Sequence, residues 1–167
     1  MKFTEGDSEA NFTGATNPIT AIHAGWLIDG TGGPIKKDML LKIEQGKIHT
    51  LRPYGPGDEK LSGLIDWSQY TVLPGLIDSH VHLFMSGTSD ADIRQDQLTA
   101  GYPIQEAIRC ATYNGARLLN LMEHGQLVRG KSVTLLAVAG TPSSLPGSLS
   151  EIEHILVNGD RVESPTS

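Results

Sequence analysis

Cysteine is nearly absent from this chain. Cys110 is the single one in 167 residues, so an internal disulfide is excluded and a reducing compartment suits the protein. Nothing beyond residue type supports a nucleophilic role for it. Basic residues are few and scattered, 13 Lys and Arg against 19 Asp and Glu, for a formal charge of -6. That excludes the concentrated positive surface of a nucleic-acid binder or a basic membrane patch. No apolar run approaches the roughly 18 residues of a membrane-spanning helix. The first ten residues, Met-Lys-Phe-Thr-Glu-Gly-Asp-Ser-Glu-Ala, are polar and acidic and lack the apolar core of a signal peptide. The expected location is cytoplasmic. Histidine is also limited, to six residues, which restricts any imidazole-based site.

What is present is mostly β pattern at both ends. Residues 1–19 mix Gly, Asn, Ser, Thr and acids and read as a flexible lead-in. Ala21–Ile28 reads as a strand, followed by turn chemistry in Asp29-Gly30-Thr31-Gly32-Gly33-Pro34. Met39–Glu44 and Lys47–Leu51 form a hairpin about Gln45-Gly46. Leu64–Trp67 is a short strand leading into Tyr70–Leu73. Late in the chain, Val133–Val138 and Ile152–Val157 are strands, and Asn158-Gly159 makes a type I′ turn into Asp160-Arg161-Val162. His23 and His49 fall inside strands and read as ordinary structural residues.

Between these ends, two stretches stand out. Residues 70–83 are Tyr-Thr-Val-Leu-Pro-Gly-Leu-Ile-Asp-Ser-His-Val-His-Leu. Pro74-Gly75 divides an otherwise apolar run, because proline lacks a ladder N–H and glycine permits unusual dihedrals. Asp78, His80 and His82 alternate, and a strand's period of two places them on one face. Two imidazoles so spaced can share a metal ion. The same residues can equally be polar groups at a strand end, hydrogen-bonded to loops. The second stretch is a helix over 103–122. Ile104, Ala107, Ile108, Ala111, Gly115, Leu118, Leu119 and Met122 recur along one face. Pro103 suits its first turn and Gly125 its stop. Such a stripe ordinarily packs on a core.

Pro-Gly-Leu-Ile-Asp-Ser-His-Val-His-Leu resembles the metal-binding signature of the amidohydrolase superfamily. The resemblance extends to the Asp-Gly-Thr-Gly turn, to the Ile-Glu-Gln-Gly-Lys-Ile hairpin, and to Pro-Ile-Gln-Glu-Ala-Ile-Arg-Cys-Ala-Thr-Tyr-Asn-Gly-Ala-Arg-Leu-Leu, which is similar to the helix after the family's last barrel strand. Gly125–Lys131 resembles the return to the family's β-sandwich, and Val-Asn-Gly-Asp-Arg-Val its ending. Val133-Thr134 departs from the family, which usually has a small residue and a structural aspartate there. The resemblance implies that His80 and His82 bind a divalent metal, usually zinc, that activates water against amide-like C–N bonds, with Asp78 at most a supporting residue.

It also implies what is missing. A (β/α)8 barrel takes about 250 residues, and the two blocks of resemblance here meet between Leu98 and Thr99. Strands two to eight have no counterpart. In the family those strands carry a bridging lysine or glutamate, two more histidines and a catalytic aspartate. Only His124 and His154 follow His82, and neither falls where a barrel strand would present it. A catalytic zinc generally has three protein ligands and an open position, so two histidines are expected to bind metal weakly, and no catalytic residue is assigned.

The expected fold is α+β. Residues 20–74 and 126–163 would form a β-sandwich, with 75–125 a barrel remnant of one strand and one helix, and no complete barrel. The remnant's apolar stripe at Ile104, Ile108, Ala111, Leu118 and Leu119 is expected to pair chains into a homodimer or larger assembly. By class the resemblance implies a metal-dependent hydrolase of C–N bonds, inactive as an isolated chain unless a complementing barrel chain supplies the rest. The alternative is a non-catalytic interaction module.

Overall fold

A computed structural model describes residues 19–77 and 103–162. Seven strands hydrogen-bond side by side in one mixed sheet. They are β1 (Ala21–Leu27), β2 (Lys36–Glu44), β3 (Lys47–Pro53), β4 (Leu64–Pro74), β5 (Leu135–Ala139), β6 (Ile152–Val157) and β7 (Asp160–Val162), in the order β3-β2-β1-β4-β5-β6-β7. Only β1 and β4 run parallel; every other pair is antiparallel. The architecture is α+β, and the described residues contain no complete barrel. The facing pair of sheets expected for a sandwich is replaced by one continuous ladder, because β1 pairs with β4 and β4 with β5, joining the two ends of the chain edge to edge.

The ladder rolls back on itself. The Gly130 N–H donates to the Ile48 carbonyl (2.8 Å), and the Ile48 N–H to the Lys131 carbonyl (2.9 Å). The Val133 N–H reaches the Gly46 carbonyl (2.8 Å). Both hairpin turns have two consecutive positive φ values, Gln45 and Gly46 in one, Asn158 and Gly159 in the other, as a type I′ turn requires. Leu64–Trp67 and Tyr70–Leu73 merge into one strand, with an irregularity where β4 passes β1 between Ala24 and Trp26.

Alternation then separates two cores. Ile22, Ala24, Leu27, Met39, Leu41, Ile43, Ile48, Trp67, Val72, Leu127, Val133, Leu135, Ala137 and Leu156 fill the concave side. On the opposite face Ile28, Leu73, Leu136 and Val138 meet Ile108, with Ile104, Leu145 and Leu149 packed around them. The helix α1 (104–118) therefore lies on the outside of the sheet. It is α-helical over Ile104–Arg109, opens into a π turn over Cys110–Asn114, and resumes over Gly115–Leu118. It is shorter than the expected 103–122. Asn120 takes φ 59, its N–H donates to the Arg117 carbonyl (3.1 Å), and the Leu121 N–H donates to the Ala116 carbonyl (2.8 Å). That pair of bonds is a Schellman stop, set by an asparagine five residues before the expected glycine.

Two acids hold the loops. Asp29 is buried; its Oδ1 accepts from the Thr31 N–H (2.9 Å) and hydroxyl (2.6 Å), and its Oδ2 from Lys36. Burial pushes its pKa upward, but the bonds from Lys36 and Thr31 outweigh it, and the net direction is down. Asp58 accepts both guanidinium nitrogens of Arg52 (2.6 and 2.7 Å) and the Gly55 N–H (2.9 Å).

Candidate functional site: the approach to the histidine motif

Asp78, His80 and His82 lie outside the described residues, as does the rest of the stretch to Tyr102. What the structure describes is how the chain is delivered to them. β4 ends at Pro74, which has no N–H to continue the ladder. The next N–H, of Gly75, donates to the Thr134 carbonyl (3.0 Å) just before β5. The Ile77 N–H then donates to the Ala111 carbonyl (2.8 Å), within the π turn of α1.

That turn is the local device. Hydrogen bonds in a π turn span five residues instead of four, so the helix ladder changes register there. The Ala111 carbonyl thereby serves a segment that is distant in sequence. Thr112 is fully buried and its hydroxyl donates to the Ile108 carbonyl (2.7 Å), a back-bond inside the same turn. Gly115 completes the contact. A Cβ at this position would lie 2.8 Å from the Ile77 carbonyl oxygen and 3.2 Å from its Cβ, closer than side chains tolerate. The two stretches that stood out in the sequence, the Pro-Gly-Leu-Ile run and the helix, thus meet at Ile77, Ala111 and Gly115. Reasoning from sequence took Gly115 only as one position of the apolar stripe. The signal available was a glycine on the buried face of an otherwise well-formed helix, which marks a close backbone approach.

The stripe itself divides. Ile108 is fully buried and Ala111 nearly so, against this chain's own sheet, and Ile104 is half-buried beside them. The expectation that they lie open for a partner is corrected: the outer face of β1, β4 and β5 needs a cover, and α1 is that cover. Leu118 is 73% exposed and Leu119 50%, and Leu121 and Met122 continue the same exposed end.

The remaining histidines are spread out. His23 stacks on Tyr54 (3.7 Å between centroids, 8°), with Nδ1 3.3 Å from Asp66 and Nε2 3.7 Å from Asp38. His49 lies 3.5 Å from Glu44. His154 stacks on Trp67 (5.1 Å, 6°), while its Nδ1 is 2.8 Å from Arg161. Burial and the Arg161 charge lower its pKa. Thr134, where the family usually has an aspartate, lies 3.1 Å from the Ser132 hydroxyl and accepts the Asn158 N–H (3.3 Å), so it supports the final turn. Among the described residues no three of His, Cys, Asp and Glu converge as a metal-binding group. Among those residues, too, no helix is long and apolar enough to cross a membrane.

No family model matches the chain, and no curated protein matches it. Solved structures show partial likeness. A Xaa-Pro dipeptidase with methionine bound in its active site is 26% identical over 48% of this chain and 22% of its own, with a TM-score of 0.33. An N-acyl-D-glutamate deacylase from Bordetella bronchiseptica, complexed with zinc and a phosphonate inhibitor, is 31% identical over 38% of this chain and 13% of its own, at 0.30. A D-aminoacylase described as defining a novel subset of amidohydrolases is 26% identical over 40% and 13%, at 0.32. The chain spans less than a quarter of the length of each.

Proposed function

We propose that the chain is an amidohydrolase-type frame: by class a metal-dependent hydrolase of non-peptide C–N bonds, inactive by itself because the barrel that would complete its site is missing. The observation that carries this reading is the Pro-Gly-Leu-Ile-Asp-Ser-His-Val-His-Leu signature following β4, together with a second stretch of resemblance in α1 and its return to the sheet. The contact of Ile77 with Ala111 and Gly115 supports it, since it seats the entrance to the signature on that helix. On this reading His80 and His82 would hold a divalent metal, zinc by resemblance, which when bound supplies activation of water. Asp78 would stand behind them. Among the described residues, Ala111 and Gly115 hold Ile77, the last described residue before the motif.

The test is hydrolysis of cyclic amides and acyl-amino acids by the pure chain with zinc or manganese, alongside elemental analysis after dialysis. We expect no turnover above background and metal only in loose association, lost in His80→Ala and weakened below about pH 6, where imidazole is protonated. Turnover that disappears in His80→Ala would overturn the claim of inactivity and show that further ligands come from another chain.

A second reading, a non-catalytic oligomerisation module, is favoured by the exposed run Leu118, Leu119, Leu121 and Met122 at the end of α1. Grouped apolar side chains of this kind are costly to leave in water at roughly 25 cal/mol per Å². A homodimer closing over that end is the simplest form of it.

A further inference from the structure

We propose that residues 19–77 and 103–162 are complementary half-chains, each the binding partner of the other, that stay joined when the chain between them is cut. The inference concerns the described residues alone and does not rest on the hydrolase reading.

Neither half encloses a core by itself. Nine members of the concave core, from Ile22 to Val72, come from the first half. Leu127, Val133, Leu135, Ala137 and Leu156 come from the second, and each of these five is fully buried. The outer core is shared in the same way: Ile28 and Leu73 from the first half meet Ile108, Leu136 and Val138 from the second. Separating the halves would therefore expose both cores.

The polar seam is equally divided. β4 pairs with β5 over five registered positions, Tyr70 with Ala139 through Pro74 with Leu135. At the opposite edge β3 exchanges backbone bonds with Gly130 and Lys131. The Leu127 N–H donates to the Asp29 carbonyl (2.9 Å), the Gly140 N–H to the Gln69 carbonyl (3.0 Å), and the Ile77 N–H to the Ala111 carbonyl (2.8 Å). Lys47 meets Glu123 at 2.9 Å. The two hairpin tips also touch: a Cβ on Gly46 would lie 2.3 Å from the Asn158 carbonyl oxygen. The second half is thus gripped along two edges of the first, β4 and β3, and a partner held on two sides does not need a tether for its geometry. The tether supplies effective concentration, which a large and mostly apolar seam replaces.

The experiment inserts a specific protease recognition sequence between Ser89 and Asp90 of the full chain and cuts the purified protein. The two pieces are expected to elute together at the mass of the uncut chain and to keep its sheet circular dichroism. They should also re-form the same species when diluted together from denaturant. The unfolding midpoint should depend more steeply on protein concentration after the cut than before it, because unfolding has become a dissociation of the halves. Gly46→Val, which forces a side chain onto Asn158 at a residue with φ 70, should lower the midpoint of the cut protein more than that of the uncut one. Separation of the pieces under native conditions would overturn the proposal, and so would loss of the sheet signal on cutting.

Discussion

Ile108 and Leu118 lie ten residues apart on the same helix and belong to the same apolar stripe, yet one is fully buried and the other is 73% exposed. The difference is not hydrophobicity. At Ile108 the helix lies over Ile28, Leu73, Leu136 and Val138, which project from the outer face of the sheet. Beyond the π turn the register of the helix has shifted, and Gly115 and Ala116 take the inward positions that Leu118 would share in an uninterrupted helix. The stripe in the sequence therefore records one face of an ideal helix, while the structure uses only its first half. A helix can be amphipathic along its whole length and still have a partner for part of it.

The sharpest way to break this comparison is to charge both ends. Ile108→Asp places a carboxylate against four buried apolar side chains, Ile28, Leu73, Leu136 and Val138. The penalty should be about 4 kcal/mol or more, enough to unfold a domain of ordinary stability. Loss of the cooperative transition in urea would register it. Leu118→Asp should move the same transition by no more than about 0.5 kcal/mol, as surface substitutions do. If both variants melt like the wild type, α1 does not cover the sheet, and the buried half of the comparison is wrong.

The middle of the helix gives the next largest effect. Gly115→Val drives a branched side chain into the backbone of Ile77, where even a methyl group is too close. Overpacking of this kind costs about 1–3 kcal/mol. Urea denaturation reads the stability loss. Amide exchange at Ile77 gives a more specific sign, since its N–H should lose protection as the bond to Ala111 lengthens. A variant that keeps Ile77 protected would show that the helix and the strand end are not in register contact.

The exposed end predicts assembly and not stability. If copies pair through Leu118, Leu119, Leu121 and Met122, light scattering of the wild type should show a dimer, and Leu118→Asp should return it to a monomer whose melting midpoint no longer depends on protein concentration. A wild type that stays monomeric at high micromolar concentration removes the oligomerisation reading, whatever the fate of the buried half.

Much of the frame was legible because it depends on local chemistry. The type I′ turns at Gln45-Gly46 and Asn158-Gly159 follow from residues that tolerate positive φ. Three features were not legible. Whether strands form one sheet or two depends on pairings between residues far apart, such as Val72 with Ala137, and no local period encodes them. The π turn is invisible to a search that assumes 3.6 residues per turn. The early stop at Asn120 was missed because Gly125 is the more usual terminator, whereas asparagine serves when a Schellman pair of bonds forms around it. For the candidate site, the histidine motif lies outside the described residues, and the contact of Ile77 with Ala111 and Gly115 was not legible.

The smallest effect lies in the loop that follows β3, and it sharpens the comparison by supplying a region held by charge in place of apolar contact. The bidentate bond from Arg52 lowers the pKa of Asp58 from 3.8 to about 2, with the Gly55 N–H adding to it and burial opposing it. A folded-state pKa below the unfolded value means that the unfolded chain binds a proton first. The contribution is therefore complete above about pH 4 and disappears as the pH falls to about 2, between the two values. Asp58→Asn should remove this acid-dependent part of the stability, leaving a flatter profile between pH 4 and 2 and a modest loss at neutral pH. Urea midpoints of both proteins across that window decide it. Equal slopes would mean that Arg52 and Asp58 separate in solution, as exposed ion pairs commonly do. In that case the loop is fixed by its backbone bond from Tyr54 to Asp38 (2.8 Å) and not by the ion pair.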